Sequence, residues 1–128
     1  MGRIVAQITV SNALDLTREI RCDVLVDTGA SGLVLPSAWR ERLGVFGGSR
    51  QIELATADQR IVMGEVCGLA RIEIAGFDLI FNEVIFLDMQ PEDGRFEPLL
   101  GFIILEQSRA AVDMVGHRLV PVMYLDLK

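Results

Sequence analysis

The chain has 128 residues, 51% of them hydrophobic, and its 18 acidic and 12 basic side chains give a formal net charge of −6. This length and composition predict one domain, residues 1–128, with a single hydrophobic core. The sequence contains no basic run interleaved with aromatic residues, which argues against a nucleic-acid partner. It also lacks an apolar run of about 18 residues, which argues against a membrane-spanning helix.

The cysteine content points to a reducing compartment and away from a metal site. Cys22 and Cys67 are far apart in sequence, and His117 is the single histidine, whereas a zinc site needs about four ligands. Two small buried thiols are therefore expected. The first residues lack the long apolar region of a secretory signal. We expect a cytoplasmic protein that needs no metal and no cofactor.

Short runs of alternating apolar and polar residues predict that most of the chain forms β-strands. These runs lie at residues 4–10, 20–26, 70–74, 79–87 and 119–123, and turn signals separate them at residues 11–12, 47–48, 76, 91–94 and 116. Residues 37–44 predict a short helix, which Ser37 would cap and Gly44 would end. Residues 102–108 predict a second one. The pattern favours an all-β fold, a small closed β-barrel with one or two short helices.

The most informative segment reads Val-Leu-Val-Asp-Thr-Gly-Ala-Ser at residues 24–31. It places the Asp27 carboxylate at the end of a buried strand, on a turn that needs glycine. Burying an ionised carboxylate is costly unless another group pairs with it, so we expect Asp27 to have a chemical role. An ordinary turn aspartate is the simpler explanation of the tripeptide taken alone.

Two carboxylates about 3 Å apart share one proton, because both cannot ionise easily. The ionised group then takes a proton from water while the protonated group donates to a carbonyl oxygen, which is general acid–base hydrolysis of a peptide bond. The chain has one Asp-Thr-Gly, so the second carboxylate must come from another molecule. A two-fold symmetric homodimer supplies it directly.

The neighbours of Asp27 suit this chemistry. The hydroxyl of Thr28 can hydrogen-bond across a dimer axis, and Gly29 lets its N–H approach a carboxylate oxygen. Ala30 leaves room for a substrate chain, and the hydroxyl of Ser31 can stabilise the carboxylate charge. The predicted catalytic residues are Asp27, Thr28 and Gly29, with Ala30 and Ser31 in contact with substrate.

This segment, followed by Leu-Val-Leu-Pro at residues 33–36, resembles the active-site loop of the retropepsin-like aspartic proteases. Leu99-Leu100-Gly101 and the apolar residues after it resemble the family's second motif, which crosses behind the catalytic loop and supports it. The resemblance covers nearly the whole chain. It implies a small β-barrel, a homodimer with one active site, and a peptide or protein substrate.

The resemblance also implies a hairpin flap over the cleft, at residues 51–65. A flap excludes water and binds the substrate main chain as an added strand. Its expected substrate contacts are Thr56, Ala57 and Asp58. Two departures stand out: the tip carries Asp58-Gln59 where Asn-Gly or Asp-Gly makes a less strained turn, and Ile103 follows Phe102 where the family often has a polar residue.

Alternatives remain at this stage. A non-proteolytic dimerisation or peptide-binding module on the same fold is the second functional hypothesis, and the glycine-free tip favours it. Trp39 is expected to pack on its helix, and His117 to lie in a solvated turn. A solvated loop is the default for four clustered acidic residues, with a weak cation site as the alternative: Asp88, Glu92, Asp93 and Glu97.

Overall fold

The computed structural model describes residues 3–55 and 58–123. Within these ranges there are nine β-strands, a 3-10 helix at Ser37–Leu43 and an α-helix, α1, at Phe102–Gln107. The strands are β1 Val5–Asn12, β2 Asp15–Val26, β3 Leu33–Pro36, β4 Gly48–Ala55, β5 Ile61–Ile74, β6 Ile80–Leu87, β7 Leu99–Leu100, β8 Ala110–Asp113 and β9 Arg118–Pro121. The expectation of an all-β fold with two short helices is confirmed.

Seven strands form one sheet in the order β1-β2-β7-β3-β6-β5-β4, and β1 also pairs with β5. This additional pairing returns the sheet to its starting strand and removes an exposed edge there. Strands β8 and β9 form a separate two-stranded sheet. The short strand β7 lies parallel to β2 and antiparallel to β3, so a distant part of the chain enters the middle of the sheet.

The core lies on the face where alternate residues of β1 and β5 meet. Ile8 pairs with Ile74 and Val10 with Ile72, and all four side chains are at most 1% exposed. Successive side chains of a strand point to opposite faces, so this alternation buries one set and leaves the other in solvent. The period-two pattern of the sequence thus identified these core positions.

The predicted turn at residues 11–12 is wrong, because both residues end strand β1 and are buried. The Asn12 side-chain amide donates to the carbonyls of Leu43 and Val45, both at 2.7 Å, and its oxygen accepts the Leu14 N–H at 2.9 Å. These partners satisfy a polar group that would otherwise be costly to bury. The chain turns after Asn12 instead.

The first predicted helix forms, but as a 3-10 helix whose N-cap position is Pro36. Ser37 is already the first helical residue, so the prediction that it caps the helix is wrong. Gly44 ends the helix, as predicted, but its φ of 76° and ψ of −153° lie outside the left-handed helical region expected for this position. Trp39 packs against the core and meets Phe96 edge to face, with ring centroids 5.9 Å apart.

Candidate functional site

Asp27 directly follows β2, and the backbone at the end of this strand is hydrogen-bonded to a neighbouring segment on each side. The Val26 N–H donates to the carbonyl of Ile4 at 2.8 Å, and the Asp27 N–H donates to the carbonyl of Leu100 at 3.0 Å. The Asp27 residue itself is half-buried. Hydrogen bonds to the residue before β1 and to β7 therefore fix the backbone from which this carboxylate projects.

The segment after β2, residues 27–32, is called the Asp27 loop below. The Ala30 N–H donates to the Asp27 carbonyl at 3.0 Å, and the Gly29 N–H donates to Asp27 Oδ1 at 2.9 Å. A Cβ atom on Gly29 would lie 3.2 Å from the same carboxylate oxygen. Glycine therefore suits this position, and its main chain holds the carboxylate, as the sequence predicted.

The other predicted residues of the loop differ in their surroundings. Thr28 and Ser31 are exposed, and Ala30 is half-buried. Within the described part of the chain, the Ser31 hydroxyl makes no hydrogen bond to Asp27, whereas the Ser31 carbonyl accepts the Ile103 N–H at 2.9 Å. In this single chain, Ser31 therefore connects the loop to helix α1 through its main chain.

Gly101 brings the start of helix α1 against the Asp27 loop. Its N–H donates to the carbonyl of Gly32 at 2.9 Å, and the next residue, Phe102, donates its N–H to the carbonyl of Ala30 at 3.0 Å. A Cβ atom at position 101 would lie only 2.5 Å from the carbonyl carbon of Ser31 and 2.6 Å from the oxygen of Ala30. Only glycine permits this close approach of two backbones.

The two leucines before Gly101 form β7 and fill the space between β2 and β3. Leu100 pairs with Val26 on one side and with Leu33 on the other, and Leu100 and Leu33 are fully buried. Leu99 pairs with Leu25 and is half-buried. The structure thus brings together the two sequence motifs, which are more than seventy positions apart.

Strands β4 and β5 form the hairpin expected from the sequence, and Ala55 opposite Ile61 is its last pair. Thr56 and Ala57 lie outside the described residues. Asp58 is exposed and forms an ion pair with Arg60 at 3.2 Å. Gln59 has φ of 64°, in the left-handed region where a non-glycine residue is strained, which agrees with the missing glycine of the tip.

The hairpin base adjoins the Asp27 loop through Ile85 of β6. A Cβ atom on Gly32 would lie 3.5 Å from Ile85 Cδ1, and one on Gly64 of β5 would lie 3.5 Å from Ile85 Cγ2. Ile85 therefore lies between the Asp27 loop and the base of the hairpin, close to both.

A polar cluster that the sequence analysis missed joins the 3-10 helix to the hairpin base. The Arg40 guanidinium donates to Glu65 Oε1, and the Ser49 hydroxyl donates to Glu65 Oε2 at 3.1 Å. The bond from Arg40 is the main reason why the pKa of Glu65 is lowered. The three residues lie in different elements, so no local pattern connects them. The one signal in the sequence was the opposite charge of Arg40, in the predicted helix, and Glu65, at the end of the predicted hairpin.

A cavity of about 880 Å³ lies along β2, and none of residues 27–32 of the Asp27 loop lines it. Leu25 lines it, and Trp39 and Phe96 form an aromatic wall. The ion pair between Arg3 and Glu97 lies at the same cavity. The lining therefore combines apolar, aromatic and charged groups next to the strand that ends at the candidate carboxylate.

The remaining candidate metal ligands and nucleophiles do not lie close together. Cys22 and Cys67 are free thiols, and burial raises the pKa of Cys22 to about 11, so it is a poor nucleophile near neutral pH. Across residues 3–55 and 58–123, no group of three or more His, Cys, Asp or Glu side chains is placed to hold a metal ion. His117 is exposed in a turn. None of the helices in these ranges has the length and apolar character needed to cross a bilayer.

Comparison with known proteins bears on the family and the fold. A family model described as aspartyl protease matches residues 8–102. Among solved structures, the EIAV protease complexed with the inhibitor HBY-793 is similar, with a TM-score of 0.61 and 21% identity over 83% of this chain and 88% of that chain. At this identity the likeness concerns the fold. No curated protein matches the chain.

Proposed function

This chain belongs to the aspartyl protease family, and we propose that two copies of it form one active site, to which each contributes Asp27, for the hydrolysis of peptide bonds inside a polypeptide. The observation that carries the proposal is the placement of Asp27. Its backbone N–H donates a hydrogen bond to Leu100 of β7, and its carboxylate accepts a hydrogen bond from the Gly29 N–H at 2.9 Å. Each chain has one such carboxylate on an Asp-Thr-Gly turn, so the pair requires a second copy.

The chemistry follows from two like groups at short distance. One Asp27 carboxylate is ionised and takes a proton from a water molecule, whose oxygen attacks the carbonyl carbon of the substrate. The other is protonated and donates its proton to the carbonyl oxygen. The tetrahedral intermediate then collapses: the carbon–nitrogen bond breaks, the amine leaves with a proton from the pair, and one hydroxyl group of the intermediate returns a proton to the pair as the carboxyl group forms. No covalent bond to the protein forms.

The loop around Asp27 is the proposed support for this pair. The Gly29 N–H fixes one oxygen of each carboxylate, so the other oxygen is left for water and substrate. Thr28 is exposed next to it and is the residue proposed to bond across the two-fold axis. In each copy, the hydrogen bond from the Gly101 N–H to the loop holds the Asp27 carboxylate at a fixed position relative to helix α1.

The β4–β5 hairpin is the proposed flap. In this role its tip, with Thr56, Ala57 and Asp58, binds the substrate main chain as an added strand, while Ala30 and Ser31 border the substrate from the loop. Main-chain pairing gives affinity for any extended peptide, and side-chain pockets then set the preference. The half-buried position of Ala30 and the exposure of Ser31 are compatible with such contacts.

The test is the replacement Asp27→Asn, which keeps the shape of the side chain and removes its acid–base function. Cleavage of a mixed peptide library, followed by mass spectrometry, should fall at least about a thousandfold. Asp23→Asn is the matched control, because Asp23 is an exposed aspartate on β2, the strand that precedes Asp27. A variant at position 27 that cleaves as fast as the parent protein rules out the proposed mechanism.

A non-proteolytic dimerisation or peptide-binding module is the second candidate, and Gln59 is the observation that favours it. The tip holds this residue at φ of 64° without a glycine, and such strain restrains the movement that a flap needs to admit substrate. Saturable binding of library peptides with no product at any pH between acidic and neutral would support this alternative. Product formation that depends on Asp27 excludes it.

A further inference from the structure

The cavity along β2 takes most of its lining from three separate parts of the chain. Strand β2 contributes residues 22–25, the segment before β7 contributes residues 92–97, and the 3-10 helix contributes Trp39. A volume of about 880 Å³ is large enough to hold several residues of an extended peptide. A ligand bound here would contact all three parts and leave the Asp27 loop free.

The edge of β2 that borders this cavity has unpaired main-chain groups. The Val26 N–H donates to the carbonyl of Ile4, on the side of β1, at 2.8 Å. The Leu25 N–H donates to the carbonyl of Pro98, on the other side, at 2.8 Å. Main-chain groups alternate in direction along a strand, so those of Asp23 point to the same side as those of Leu25. Among residues 3–55 and 58–123, none forms a main-chain hydrogen bond with Asp23 on that side.

Pro98 explains why the pairing stops at Leu25. Strand β7 lies parallel to β2 in a register that places Leu99 opposite Leu25. In this register, the next hydrogen bond along the ladder would run from the N–H of residue 98 to the carbonyl of Asp23. Proline has no N–H, so the ladder ends there. A strand edge with free donors and acceptors is a template on which a further strand can pair.

The charges around the cavity favour a cationic ligand. The lining carries four carboxylates and two guanidinium groups, and one of each forms the ion pair between Arg3 and Glu97. The carboxylates of Glu92 and Asp93 form no ion pair within the described part of the chain. The excess of carboxylates makes the local potential negative, which attracts positively charged groups.

Two aromatic rings give the cavity an apolar surface beside these charges. Trp39 and Phe96 are half-buried and meet edge to face. The Arg42 guanidinium lies 5.3 Å from the centroid of the Trp39 ring, so this ring already contacts one cation. A lysine or arginine side chain has an apolar stem and a cationic end, and it therefore matches both the aromatic wall and the free carboxylates.

We propose that this cavity binds an extended polypeptide segment that carries lysine or arginine. The segment adds a strand to the edge of β2 at Asp23, and its cationic side chains contact the carboxylates of Glu92 and Asp93. Asp23 takes part through its main chain alone, which the replacement Asp23→Asn leaves intact. The inference goes beyond the proposed hydrolysis, and it depends neither on Asp27 nor on a second copy of the chain.

Trp39 is the only tryptophan of the chain, so its fluorescence reports binding at the cavity. The blocked peptide Thr-Val-Lys-Val-Lys-Val-Thr is titrated into the full-length Asp27→Asn protein, so that the peptide stays intact. A saturable change in the emission of Trp39 is expected. The same peptide with glutamate in place of both lysines should bind at least about tenfold more weakly, because its charges are repelled.

The contribution of the main chain is tested with a modified peptide and with amide hydrogen exchange. The lysine peptide N-methylated at every lysine and valine should bind at least about tenfold more weakly, because it cannot donate the hydrogen bonds of an added strand. The unmodified lysine peptide should slow exchange of the Asp23 N–H at least about tenfold, because exchange then requires the new hydrogen bond to open. The N-methylated peptide should leave this exchange rate unchanged.

The contribution of the carboxylates is tested with the double variant Glu92→Gln, Asp93→Asn. It should weaken binding of the lysine peptide about three- to tenfold, because two charges are removed while the side-chain shapes are kept. Glu106→Gln with Asp88→Asn is the matched control, since both residues are exposed and neither lines the cavity. The control should bind the peptide as the parent does, and circular dichroism should show the same fold for all these proteins.

Several results would overturn the inference. One is the absence of a saturable Trp39 response to the lysine peptide, and another is equal affinity for the lysine and glutamate peptides. Unchanged exchange of the Asp23 N–H at saturating peptide would exclude strand addition. If blocked lysine alone reproduces the full response at the same concentration, the site holds a single cation and no polypeptide segment. None of these measurements depends on cleavage, so failure of the proposed hydrolysis leaves the inference standing.

Discussion

At position 101, the Cβ atom that any residue other than glycine carries would fall 2.5 Å from the carbonyl carbon of Ser31. Gly101→Ala should therefore push the Asp27 loop away from helix α1 and lower the free energy of unfolding by about 1–3 kcal/mol. Gly48→Ala is the control, because a Cβ atom at Gly48 meets nothing within 4 Å. Urea unfolding monitored by circular dichroism measures both effects.

The loop displacement caused by Gly101→Ala should also reduce cleavage under conditions where the variant is fully folded. An activity that falls in proportion to the loss of folded protein alone would show that the loop tolerates the shift. Equal unfolding midpoints for the parent and the Gly101→Ala protein would contradict the close approach itself. The cleavage and unfolding measurements therefore both test the contact between Gly101 and the Asp27 loop.

Single residues could be predicted from the sequence where their partners are local. The bond between Gly29 and Asp27 joins residues two positions apart, so the tripeptide alone suggested it. The bond between Ser31 and Ile103 joins residues that no local pattern connects, and a side-chain role was predicted for Ser31 instead. The strain at Gln59 was also predictable, because a tight turn without glycine or asparagine has few relaxed conformations.

At the scale of elements, the cluster of Arg40, Glu65 and Ser49 fixes the 3-10 helix to the hairpin base. The Arg40 guanidinium lowers the pKa of Glu65 below its ordinary value of 4.5. A lowered pKa in the folded state means that the bond stabilises the protein above about pH 4.5. The stabilisation is lost as the pH falls through the lowered pKa.

Glu65→Gln should therefore be less stable than the parent protein at neutral pH, and the difference should shrink as the pH is lowered below 4.5. Thermal unfolding midpoints from pH 7 to pH 3 measure the difference directly. Glu53→Gln is the matched control, because Glu53 is an exposed residue on the adjacent strand β4. A difference between the Glu65→Gln and parent proteins that stays constant with pH would contradict the assigned role of the carboxylate.

The longer strands were predictable and the short elements were not. Strands such as β1 and β5 bury alternate residues over many positions, and this alternation is visible in the sequence. Strand β7 has two residues, too few to show any period, and its place between β2 and β3 depends on distant pairing. The end of β1 was misjudged because the buried amide of Asn12 has its partners in another element.

For the whole molecule, the proposed active site shared between two copies predicts how mixtures of variant and parent protein behave. When the Asp27→Asn protein and the parent protein exchange subunits in equal amounts, mixed pairs hold one active carboxylate only. Cleavage per parent chain should then fall to about half, and further with excess variant. Adding the Asp23→Asn protein in the same amounts is the control and should cause no loss. Activity that is independent of added Asp27→Asn protein would mean that each chain works alone.

The sequence by itself determined the all-β class, the residues of the main core, and the position of Asp27 on a glycine turn after a strand. These features follow from local periodicity and local turn chemistry, which act between residues near each other in the chain. The tertiary structure decided which backbone supports the Asp27 loop, how Arg40 holds the hairpin base, and that the edge of β2 is left unpaired at Asp23. Those features depend on contacts between segments that are far apart in the sequence. Such contacts form only when the sheet closes and its short strands pair with the neighbouring strands.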